Sequence, residues 1–139
     1  MSKNIIKKPA PTDGQRIRIQ VNDKPNPTFD YPTFCFKHLH KKHHLDKCTD
    51  KEKVKLIEKI VKLSQMTWLQ IQQSDKHGMG SEKIAISSIT TSLPITNTAD
   101  VDFLIALRFD KMKPIVGHKG YNNVFHVYFI DRDFTLYNH

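Results

Sequence analysis

The chain has 139 residues, 38% apolar and 26% charged, with 22 Lys plus Arg against 14 Asp plus Glu and a net charge of +8. That length suits one domain with a real core, and the composition excludes a wholly disordered chain and a helical membrane protein, since no stretch nears the roughly 20 apolar residues a span requires. A surface this basic points to a polyanion as partner, RNA first, and the two cysteines, Cys35 and Cys48, are too few for a disulfide scaffold.

The N-terminal segment 1–14 carries Lys3, Lys7, Lys8, Pro9, Pro11 and Gly14, a composition that neither packs nor alternates. It reads as a mobile basic arm before a single domain at 15–139. It also lacks the apolar run of a signal peptide, so the expected location is cytoplasmic, with no membrane partner. Arg16-Ile17-Arg18-Ile19-Gln20-Val21 alternates strictly and predicts a strand, whereas Pro25, Pro27 and Pro32 predict a loop over 22–32. Alternation resumes over 33–40, running into a basic tip at Lys41-Lys42-His43-His44.

Thr49-Asp50-Lys51-Glu52 has the form of a capping box, so a helix is expected to start there. Val54, Ile57 and Val61, with Leu56, Ile60 and Leu63, make two adjoining stripes and a wide apolar face. Thr67 with Gln70 is a second cap, which predicts one kinked helix or two within 49–74. His77-Gly78-Met79-Gly80 ends the helical stretch, and Ile84, Ala85, Ile86 and Ile89 suggest a short strand. The remainder reads as an antiparallel meander. Its first strand turns Phe103, Ile105, Leu107 and Phe109 inward and Arg108 outward. A hairpin joins 114–118 to 124–130, Asp131-Arg132-Asp133 forms a turn, and 134–137 is a last short strand. The expected fold is α+β, with one or two helices on a small antiparallel sheet whose other face is held against an anion.

Three constellations could carry chemistry. The imidazoles and thiols of His38, His40, His43, His44, Cys48 and Cys35 are numerous enough for zinc, but they show no paired ligand spacing, and no metal or cofactor is expected. His77, beside Lys76 and the glycine turn, could serve as acid or base, with Glu82 and Lys83 following. In the meander, Arg108, His118, Lys119, His126, Arg132, Tyr137 and His139 could together supply the base, acid and cations that RNA cleavage needs without metal, although His126, mid-strand among apolar residues, reads more as a core histidine. Arg108 and His118 are expected to face one open surface and share one phosphate. The candidate catalytic residues are therefore Arg108, His118, His77 and Tyr137, and the candidate nucleic-acid contacts are Lys37, Lys41, Lys42, Lys83, Lys119 and Arg132.

The order of helices, Lys76-His77-Gly78-Met79-Gly80, Arg108-Phe109, Gly117-His118-Lys119 and Val124-Phe125-His126-Val127-Tyr128-Phe129-Ile130 resembles the RelE/ParE-type toxins of bacterial toxin-antitoxin pairs, over about residues 49–139. The match of Arg108, Lys119, Tyr137 and His139 to those toxins' basic and aromatic positions is loose. The long N-terminal stretch departs from their compact form. The resemblance implies a RelE-like fold, an RNA substrate cleaved as by an mRNA interferase, and an acidic antitoxin-like protein partner. The alternatives are a non-catalytic nucleic-acid-binding accessory protein and a protein-binding regulator.

Overall fold

The computed structural model describes residues 30–74, 80–93 and 101–137, and every structural statement below concerns these. The expected arm, the strand at 16–21, and both His77 and His139 lie outside them. Helix α1 is Asp50–Ser64 and begins where the sequence places it: Thr49 Oγ1 accepts from the Glu52 amide at 3.2 Å, and Glu52 Oε1 accepts from the Thr49 amide at 2.8 Å. Thr67 and Gln70 repeat the device and start α2, Trp68–Gln73, so the stretch is two helices.

Five strands form one mixed sheet: β1 Thr33–Cys35, β2 Ser81–Ala85, β3 Phe103–Asp110, β4 Lys113–Lys119 and β5 Val124–Ile130, in the order β1-β5-β4-β3-β2. β1 runs parallel to β5, and all other pairs are antiparallel. The fold is α+β, with the meander as the middle of a larger sheet. Two expected strands fall short. The strand at 33–40 stops at Cys35. Residues 134–137 form only an isolated bridge between Tyr137 and Ile89, because Phe134 takes a positive φ and the amides of Thr135 and Leu136 turn to the Asp131 carboxylate.

The helices cover one face of the sheet, where Leu56, Leu63, Trp68 and Ile71 pack on Ile105, Leu107, Ile115, Phe125 and Val127. The other face was expected to lie open, and it does not. Leu104, Ala106, Val116, Tyr128 and Phe129 form a second interior closed by Leu136, Tyr137 and the segment holding Ile86, Ile89 and Leu93. Both faces of β3 are covered, which is why the strand is apolar almost throughout; Phe103 at its start is instead exposed.

A register shift between Val116 and Gly117 pairs Val116 with Phe129 but Gly117 with Val127. Tyr128 is the extra residue, so Tyr128 and Phe129 both turn into the second interior. Gly117 permits the close approach: a Cβ there would lie 2.0 Å from the His126 carbonyl oxygen. Gly117→Ala is therefore expected to cost about 3 kcal/mol or more in chemical denaturation, since backbone and not a flexible side chain must yield. A variant as stable as the parent would contradict that packing.

Glu52, 3% exposed, joins α1 to the sheet. Its carboxylate accepts from Lys113 Nζ and, at 3.0 Å, from Arg132 Nε. The Arg132 hydrogen bond holds the Glu52 carboxyl at about 2 against burial, which pushes the other way, with Lys113 and the Thr49 amide assisting. The folded value lies below the ordinary 4.5, so the stability it contributes is complete above that pH and is lost as pH falls towards about 2. Discounted for partners about a third exposed, the shift corresponds to roughly 2 to 3 kcal/mol. Glu52→Gln should be less stable by about that amount near neutrality, and the gap should close in acid. A gap independent of pH would show that charge is not its source.

Candidate functional site

Asp131 directly follows β5 and is fully buried, its carboxylate accepting from the amides of Thr135 and Leu136 at 3.0 Å each. Its Oδ1 lies 3.8 Å from Nδ1 of His43, whose side chain is 16% exposed. Backbone bonds hold the histidine loop on the sheet: the His40 amide donates to the Tyr128 carbonyl and the Ile130 amide to the His43 carbonyl, both at 2.8 Å. The two imidazoles stand 5.7 Å apart by ring centroid, and both lie against Phe129, at 5.6 and 5.7 Å. Phe129 reaches this face because of the bulge at Tyr128.

His40 Nδ1 accepts from the Lys42 amide at 3.1 Å, so the neutral ring carries its proton on Nε2, 3.5 Å from Thr91 Oγ1. Burial foremost, then His43 and Lys42, holds the His40 imidazole below its ordinary range. Lys41 and Lys42 are exposed beside the pair. Deeper on the same face, burial and then the charges of Glu82 and Asp131 push the Tyr137 hydroxyl up to about 12, with Arg108 opposing. Arg108 Nη2 lies 4.0 Å from Glu82 Oε1. A buried carboxylate 3.8 Å from one imidazole, a second imidazole as donor and two flanking lysines can bind a phosphodiester and move a proton.

The expected site residues divide among four places. Arg108 and Tyr137 belong to this polar network, and Lys41 and Lys42 flank it; Lys37 is exposed on the same loop. His118 shares a face with Arg108, but Arg108 pairs with Pro114, four residues down β4, a separation of about 13 Å with buried Val116 between. One phosphate shared by Arg108 and His118 on an open face does not fit that geometry. His118 instead pairs with His126, itself opposite Cys35, and burial followed by His126 lowers the His118 imidazole. Lys83, Lys119 and His118 line one cleft of about 540 Å³ at the edge of the sheet, with Gln72, Glu82, Phe103 and Ile105. There Lys83 sits over the Phe103 ring and Lys119 over Trp68. Arg132 is committed to Glu52. His77 falls outside the described residues.

Sequence reasoning read Asp131 only as part of a turn and the histidines as a basic tip or a cluster weighed for zinc, and did not join the two. Their pairing leaves no local spacing to find, because β5 and the loop after β1 meet only in the folded sheet. Among the described residues no three His, Cys, Asp or Glu side chains converge as a metal site requires, and no helix is long and apolar enough to cross a membrane. Comparison with protein-family models, curated proteins and solved structures finds no match to this chain.

An NMR titration should place the His40 midpoint below the ordinary 6.5. His43→Asn should raise it while leaving it depressed, because burial is the larger cause. A midpoint above the ordinary value would mean the ring is not held as described.

Proposed function

We propose that the protein binds RNA and cleaves it without a metal ion, as a toxin-like endoribonuclease. The observation that carries this reading is the buried Asp131 carboxylate behind His43, with His40 alongside and Lys41 and Lys42 at the rim. With Nδ1 of His43 turned to Asp131, Nε2 is the nitrogen left to take the proton of a 2′-hydroxyl. The 2′ oxygen then bonds to phosphorus, the bond from phosphorus to the 5′ oxygen breaks, and that oxygen takes a proton from water. The Nε2 proton of His40 and the lysine ammoniums stabilise the charge on the phosphate oxygens. Two helices before the antiparallel run β2 to β5 accord with the RelE/ParE-type resemblance, while β1 and the placement of the histidines depart from it. An acidic antitoxin-like protein partner belongs to the same reading.

The cleft lined by Lys83 and Lys119 favours a second reading. Lys83 over Phe103, with Lys119 nearby, could hold RNA by stacking and charge with no reaction at all.

Single-stranded RNA should bind with affinity falling steeply with salt, through released counterions. Chelator-treated protein should yield fragments ending in 2′,3′-cyclic phosphate, and His43→Ala should remain folded while losing about 100-fold or more of the rate. Salt-sensitive binding with no cleavage by the parent would leave the binding reading alone standing. Absence of binding at low salt would remove both.

A further inference from the structure

Lys83 stands opposite Ile105 and Lys119 opposite Phe125 in the ladders, and Ile105 and Phe125 both belong to the helix-side core, so both lysine stems leave that face of the sheet. Phe103, two residues before Ile105, shares the face. Its ring is 40% exposed at the start of β3, where it lines the cleft at the edge of the sheet instead of closing the core. Lys83 Nζ lies 4.7 Å from the centroid of that ring, and Lys119 Nζ lies 5.5 Å from that of Trp68. Among the described residues neither ammonium takes part in an ion pair. A cation over an exposed ring is held weakly, so both charges stay available to an anion.

We infer that this cleft is a site for one nucleotide, a nucleoside monophosphate whose phosphate lies between Lys83 and Lys119 and whose base stacks on Phe103. Only β3 separates the strands of the two lysines, about 10 Å across the sheet, a span that two extended lysine chains close on a single phosphate. Size and charge choose this ligand over a strand. A volume of about 540 Å³ falls among the roughly 300 to 1,000 Å³ of small-ligand sites, whereas single-strand binders track about 4 to 16 nucleotides along a groove. Glu82 and Asp102 also line the cleft, and their carboxylates repel the successive phosphates of a strand. A free nucleotide brings one phosphate to the lysines and offers its hydroxyl or amino groups as donors to those carboxylates, with Gln72 and Ser81 as neutral partners. The inference rests on the binding reading of the cleft, whose lysines and ring it shares, and narrows the ligand from a strand to a single unit. It is independent of cleavage at His43.

The test is calorimetric titration of the full chain with adenosine 5′-monophosphate, beside adenosine, inorganic phosphate and a single-stranded RNA of about ten nucleotides. The monophosphate should bind at least about tenfold more tightly than adenosine or phosphate, and Lys83→Gln with Lys119→Gln should weaken it about tenfold or more. Phe103→Leu, which keeps apolar bulk and removes the stacking ring, should weaken it as well. Lys83 is exposed, so Lys83→Gln alone leaves thermal unfolding unchanged and keeps the test decisive if Phe103→Leu lowers the melting temperature. Phosphate bound as tightly as the monophosphate reduces the cleft to an anion spot and overturns the proposal, as does equal binding by parent and variants. RNA bound through these lysines, with no affinity for the monophosphate, overturns it and leaves the binding reading standing. Monophosphate bound through these lysines, with RNA neither competing nor weakened in the variants, supports it and removes RNA from the cleft. No affinity for either ligand ends both readings of the cleft.

Discussion

Glu52 is where the layers of this protein are fastened together. Its carboxylate closes the capping box of α1 and binds Lys113 at the start of β4 and Arg132 just beyond β5, three segments with no local reason to meet. A buried carboxylate costs desolvation, and a pair sealed from water often fails to recover it. Here the two cations stay about a third exposed and keep part of their hydration, while the carboxylate receives three donors. Attraction therefore outweighs burial, as the depressed Glu52 carboxyl records.

The same fastening sets up the opposite face. Arg132 and Asp131 are consecutive, yet one reaches Glu52 on the helix side and the other turns inward beneath His43. With Arg132 held, the chain leaving β5 has its direction fixed, and the Asp131 carboxylate meets the amides of Thr135 and Leu136. The β5 bulge completes the arrangement: with Tyr128 as the extra residue, Tyr128 and Phe129 both face the second interior, and Phe129 gives the two imidazoles a ring to rest on. The ion pair thus helps position groups it does not touch, while the bulged strand holds the histidine loop directly through the Tyr128 carbonyl and the Phe129 ring.

Two kinds of polar chemistry lie at different places on the sheet. Beside the cleft, cations sit over aromatic rings, whereas the histidine loop sets imidazoles against a carboxylate. On the second face buried Val116, Ala106 and Leu104 lie between Arg108 on β3 and His118 on β4, so sharing a face does not bring those two together.

Wherever the physics is local, the sequence is legible. A capping box spans three residues, so both helix starts could be read; strand alternation and the Asn122-Asn123 turn, each at positive φ, depend on neighbours in the chain as well. Three matters waited for the tertiary structure. Which stripe of α1 is buried depends on where the sheet lies, and both stripes satisfy helical periodicity equally. That the second face is covered depends on segments around 86–93 and 134–137 with little regular structure to announce them. That His43 meets Asp131 depends on β1 adding in parallel beside β5, a long-range pairing that no pattern within either segment encodes. Composition and periodicity determined an α+β domain with a basic surface; only the meeting of distant strands decided which imidazole has a carboxylate behind it.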